Sequence, residues 1–173
     1  RGSDPLGFIE MNGIVYLSAY TPQYSRELWR TDGTDSGTYI VKDINSGTTH
    51  SVNGYRGNSV VVNDRLYFRV QEEGGRFGKI WQTDGTTAGT IQVSNEIIDR
   101  DRVNTFYFSA LKDEIFFRGS DRVNGIELWS FNTLSRNFTS QGVLNNSSTF
   151  SADTKPYYSK TKEKLILMNN NFL

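Results

Sequence analysis

Cysteine is absent from this chain and proline nearly so, with three in 173 residues. Without cysteine there is no disulfide framework, no thiolate nucleophile and no thiolate metal ligand. The single histidine, His50, lies in GTTHSVNG, so any Ser-His-Asp relay or histidine-bound metal rests on one loop. A solvated loop histidine is the simpler expectation. Charge of one sign is lacking too. The 19 Lys and Arg balance the 19 Asp and Glu, so no overall field draws nucleic acid or an anionic membrane. No apolar run approaches the ~20 residues of a membrane helix, so membrane insertion is not expected. No window carries a 3.6-residue apolar stripe, which argues against helix. Residues Arg1-Gly2-Ser3-Asp4 are neither an initiator methionine nor a signal peptide, and read as the start of a processed piece of a longer chain.

What the sequence does hold is aromatic residues, glycine and a repeat. ELWRTDGTDSGT (residues 27–38) returns as KIWQTDGTTAGT (residues 79–90), and Trp29, Trp81 and Trp129 stand 52 and 48 residues apart. Before each tryptophan lies an apolar segment: IVYLSAY from Ile14, RLYFRV from Arg65 and EIFFRG from Glu114. A fourth copy, KLILMN from Lys164, has no tryptophan after it. Alternation places Val15 and Leu17 with Leu66 and Phe68, Ile115 and Phe117, and Leu165 and Leu167 on one face. Tyr16, Tyr67, Phe116 and Ile166 fall on the other. Both faces are apolar, so each sheet is expected to be covered on both sides. Asn12-Gly13, Asn63-Asp64 and Lys112-Asp113 precede these strands as two-residue hairpin breaks.

Each unit of about 50 residues thus reads as four antiparallel strands. The fold class this predicts is all-β, a β-propeller-type repeat of four-stranded antiparallel blades. The chain is expected to be one partial propeller over residues 1–173. Its repeats are placed at about 7–44, 58–95 and 105–142, with a half repeat at about 157–169, or about 3.5 blades.

Residues 27–44, ELWRTDGTDSGTYIVKDI, resemble the ELWxxDGT (hyalin-like) repeat of secreted and cell-surface bacterial proteins. The second copy keeps Trp81, Asp84-Gly85-Thr86 and Gly89-Thr90. The third keeps Glu127-Leu128-Trp129 and then loses the Asp-Gly turn. The resemblance implies an exported module, extracellular or at the cell surface of a bacterium, and it implies no reaction.

The motif reads as scaffold. Gly33 and Gly85 supply positive φ to a tight turn, Asp32 and Asp84 accept hydrogen bonds from their own turns, and Trp29, Trp81 and Trp129 are expected to be buried between blades. Calcium binding through Asp32 and Asp35 is the functional alternative. It needs six to eight oxygens, and Thr87 replaces Asp35 in the second copy. No metal and no cofactor are therefore expected. A sialidase-type Asp box puts its aromatic after the Asp-Gly turn, the reverse of the order here. Glu27 and Glu127 offer a carboxylate pair for glycoside hydrolysis. They occupy equivalent positions on different blades, with Lys79 between them in the series, so a strand-surface role beside Arg26 or Arg30 is expected. DRVN occurs at 101–104 and 121–124, off the period.

Loop aromatics are the candidate ligand-binding residues: Tyr20, Tyr24, Tyr55, Tyr157 and Tyr158. The expected function is a non-enzymatic binding or scaffolding module. Its partners would be another protein or the remaining blades of the same propeller, and glycans in a lectin-like alternative. A propeller fragment of a glycoside hydrolase is the second alternative.

Overall fold

The computed structural model describes residues 2–46, 50–52, 59–71, 78–94, 108–120, 126–141, 155–159 and 164–168. For 120, 126–127, 155–159 and 164–168 it describes the backbone alone. The described chain is all-β, with no helix among the described residues and so none long and apolar enough to cross a membrane.

The first sheet is a meander of β1 (Leu6–Met11), β2 (Ile14–Thr21), β3 (Ser25–Thr31) and β4 (Tyr39–Lys42), in that spatial order. The second repeats it with β5 (Ser59–Val62), β6 (Arg65–Gln71), β7 (Gly78–Thr83) and β8 (Ile91–Gln92). The third has β9 (Ser109–Leu111), β10 (Glu114–Ser120), β11 (Ile126–Asn132) and β12 (Phe138–Ser140). A two-stranded sheet pairs β13 (Lys155–Ser159) with β14 (Lys164–Met168). All pairings are antiparallel, as short chain reversals require.

The hairpin breaks behave as their residues dictate. Asn12 and Gly13 have φ of 55° and 76°, and Asn63 and Asp64 have 51° and 55°. Two successive positive φ values match the right-handed twist of the flanking strands.

Alternation then decides what packs where. Tyr16, Leu28 and Val41 of the first sheet meet Leu66, Phe68 and Val70 of the second in one buried cluster. Tyr67 and Ile80, on the other side of the second sheet, meet Ile115, Phe117 and Phe131 of the third. The three sheets therefore stack face to face in chain order. Their first strands lie side by side: β1 touches β5, β5 touches β9, and β9 touches β13.

The expectation of cover on both sides fails for the first sheet. Val15 and Leu17 are half-buried and Phe8 is 64% exposed. Their counterparts Leu66, Phe68, Ile115 and Phe117 are at most 1% exposed, because each has a preceding sheet against it. The tryptophans need correction for a related reason. Trp29, Trp81 and Trp129 hold equivalent register positions, opposite Leu17, Phe68 and Phe117, but all three are half-buried. Trp81 packs on the core between the first two sheets and Trp129 on the core between the second and third. Each lies beside the core cluster instead of within it.

Candidate functional site

Two places concentrate chemistry, one at each end of the strands. The first is the turn between the third and fourth strands. Gly33 and Gly85 have φ of 92° and 93°, so both copies need the same left-handed backbone. Asp32 Oδ1 accepts from Thr34 N at 2.9 Å and Thr34 Oγ1 at 2.7 Å; Asp84 Oδ1 accepts from Thr86 N at 3.0 Å and Thr86 Oγ1 at 2.7 Å. These bonds favour the ionised form and lower both carboxyl pKa values. Gly37 and Gly89 press directly on those carboxylates, and a Cβ at either would collide with them. Gly33 N and Gly85 N donate to Thr31 Oγ1 at 3.0 Å and Thr83 Oγ1 at 2.9 Å. Every shared letter after the tryptophan thus has a job in closing the turn, Thr38 and Thr90 included, whose hydroxyls donate to Thr34 O and Thr86 O.

The second turn also docks on the first sheet. Thr87 Oγ1 donates to Val41 O at 2.9 Å, and Lys42 Nζ donates to Thr90 O at 2.8 Å while lying 5.7 Å from the Trp81 ring centre. The Tyr16 side chain ends over Gly85, where a Cβ would strike its hydroxyl. Tyr67 sits in the equivalent place one sheet on, its hydroxyl near Thr133 in the turn of the third sheet. Burial raises the pKa of both phenols.

At the opposite end, the β2–β3 turn meets the connector that leads to the second sheet. Ser25 holds φ of 60° and is 3% exposed; its Oγ shares a 2.6 Å hydrogen bond with His50 Nδ1. Tyr20 stands edge-on to the His50 ring at 6.3 Å between centroids. Arg26, beside them, pairs with Asp4 at 2.6 Å and reaches Asp4 O at 2.9 Å. Glu27 is fully buried, which corrects the expected strand-surface role. It accepts hydrogen bonds from Ser51 Oγ and from the backbone N–H of Ile44 and Asn45. Burial raises its pKa to about 7 against the pull of those donors.

The connector is fastened on both sides. Ser51 N donates to Arg26 O at 2.9 Å in the first sheet, and Gln71 N of the second donates to Ser51 O at 2.8 Å. Asn45 Nδ2 donates to Gln71 O and Ser18 Oγ to Val52 O. Glu27 therefore clamps the crossing between sheets.

His50 is exposed, as expected of a loop histidine, yet it is bonded to Ser25, a contact that no spacing in the sequence announces. Ser25 is buried, and Glu27 is committed to the connector, so the three do not form a relay onto an accessible nucleophile. Tyr20 and Tyr24 sit half-buried at this end. Tyr157 and Tyr158 lie on β13, their side chains outside the described residues, as is the side chain of Glu127 on β11. Tyr55 and both DRVN segments also lie outside the described residues.

No protein-family model matches the sequence, and no curated protein matches it significantly. Among solved structures, the chain is similar to a puromycin hydrolase in complex with PGG, with a TM-score of 0.54 and 7% identity. The match covers 92% of this chain and 24% of that one. A family 117 glycoside hydrolase from the marine bacterium Zobellia galactanivorans matches with a TM-score of 0.45 and 11% identity, over 87% of this chain and 48% of that one. The chain thus spans about a quarter and about half of these two proteins. At such identity the first likeness shows the fold alone. It nevertheless corrects the expectation of a chain that is not an enzyme: a solved chain that shares this fold is a hydrolase, so the architecture does not by itself exclude a reaction.

Proposed function

We propose that this chain is an arc of about 3.5 blades of a β-propeller, serving as a binding or scaffolding module in a larger secreted or cell-surface bacterial protein. One observation carries the reading. The first strands of successive sheets lie side by side while their faces bury equivalent residues. Strands so ordered are what a central axis produces, with each meander running outward from it.

The ligand end of this arc is the one that gathers the β2–β3 turn and the connector. Tyr20, His50 and Arg26 come together there, with Tyr24 in the same turn, whereas the opposite end spends its polar groups on its own turns and on the neighbouring sheet. Apolar ring faces beside hydrogen-bonding groups suit sugar rings, which favours glycans as the ligand class.

A glycan array probed with the purified chain tests this reading. Binding that falls in Tyr20→Ala and Tyr24→Ala variants, with unchanged thermal unfolding, is the expected result. Glycan binding untouched by both substitutions would move the site elsewhere on the chain. Release of reducing sugar from bound glycans would make the module a hydrolase as well as a binder.

A further inference from the structure

The free flank of the first sheet has a counterpart inside the same molecule. The second sheet presents the equivalent surface to the first, and there every element is engaged: Leu66 and Phe68 are buried, Gly85 receives the Tyr16 phenol, and the turn takes Lys42 and the carbonyl of Val41. On the first sheet the same positions are Val15, Leu17, Gly33 and the turn 32–38, flanked by Phe8. Gly33 has the backbone of Gly85, but no described residue lies within 4 Å of where its Cβ would point. Trp29 packs on neither core cluster, unlike Trp81 and Trp129. The phenol socket, the apolar face and the turn are all present on the first sheet, and no described residue fills the socket.

We infer that this flank is the docking surface for one further unit of the same repeat, a four-stranded sheet carrying a tyrosine where Tyr16 stands and a lysine where Lys42 stands. The inference rests on the propeller reading above. The chemistry of the occupant follows from the contact between the first two sheets. A phenol is needed to fill the socket over Gly33, and branched or aromatic side chains are needed to cover Val15, Leu17 and Phe8. Charge specifies the rest. Asp35 replaces Thr87 in this turn, and Thr87 O lies 3.5 Å from Lys42 Nζ in the internal contact. The incoming lysine therefore meets a carboxylate, an ion pair that the internal contact lacks, in place of the bond that the Thr87 hydroxyl donates to Val41 O and that a carboxylate cannot donate. A second copy of this chain fits less well, because the Tyr16 face of its first sheet and the Tyr67 face of its second are already covered.

The absence of cysteine makes the test direct. Residues 6–58 are repeated ahead of Leu6, giving a tandem chain whose added copy supplies Tyr16 and Lys42 to the free flank. Single pairs of cysteines are introduced and treated with a short bis-maleimide. Lys42→Cys with Thr87→Cys, in the parent and in the tandem chain, reports the internal contact. Lys42→Cys in the added copy with Asp35→Cys in the original first sheet reports the inferred one. We expect both pairs to crosslink to comparable yield, and Asp35→Lys to lower the melting temperature of the tandem chain more than that of the parent. Crosslinking of the internal pair alone overturns the inference and leaves the propeller reading standing. Loss of the internal crosslink on adding the extra unit overturns it too, since the unit then does not seat. Failure of the internal pair in the parent chain overturns the propeller reading itself. Concentration-dependent dimerisation of the parent chain in sedimentation, abolished by Phe8→Asp, would assign the flank to a second copy and overturn the inference.

Discussion

Glu27 and the two turn aspartates pull the pH dependence of stability in opposite directions. Burial raises the folded-state pKa of Glu27 from 4.5 to about 7, so between those values the folded chain holds a proton that the unfolded chain has released. The stability tied to this group is complete below pH 4.5 and is lost as pH rises through about 7. For Asp32 and Asp84 the folded pKa is lowered, so their stabilisation is present above the ordinary value of 3.8 and is lost on acidification. Urea midpoints measured across this range should therefore fall from mildly acid to neutral pH in the parent chain. Glu27→Gln should flatten that fall while leaving the acid limb unchanged. A variant that keeps the parent's slope would place the titrating group elsewhere. The Asx turns were legible from TDGT, because the hydrogen bonds that fix them span two residues. The burial of Glu27 was not. Its cover comes from residues 17 and 24 positions along the chain, and no local pattern encodes that return.

At the scale of the strand and turn, the two motif copies share a shape and differ in surroundings. Gly33→Ala and Gly85→Ala both force a side chain into positive φ, at a cost of about 1–2 kcal/mol. Only Gly85→Ala must also expel the Tyr16 hydroxyl, so its loss in chemical denaturation should be the larger. Equal losses would show that the phenol does not seat there. Trp81→Ala should cost about 2–3 kcal/mol, less than the ~3–5 of a wholly buried tryptophan, because the ring lies beside the core. Trp29→Ala should cost less again, since its ring packs on neither core cluster. A Trp29 variant as damaged as the Trp81 variant would contradict the open flank. The strands themselves were readable from alternation and the hairpin dipeptides. The tryptophans enter the core less than their period implies, because period and residue type say that a ring packs between sheets but not how far it enters.

For the whole molecule, the period of about 50 residues makes the stacked sheets legible in the sequence. It left open which face of the first sheet is covered, because every copy of an apolar face looks alike until its neighbour is placed. It also left the Ser25–His50 contact unseen, since the connector that carries His50 has no counterpart in the repeat motif. In the proposed propeller the sheets are rotated about a common axis. Ser36, Ala88 and Leu134 occupy exposed places in the three successive turns between third and fourth strands. With no native cysteine, each can carry a spin label alone or in pairs. Double electron–electron resonance on the three pairs measures the arrangement. An arc predicts narrow distributions, near-equal 36–88 and 88–134 distances, and a 36–134 distance clearly shorter than their sum. A 36–134 distance equal to that sum would mean a straight stack without an axis, and would contradict the propeller.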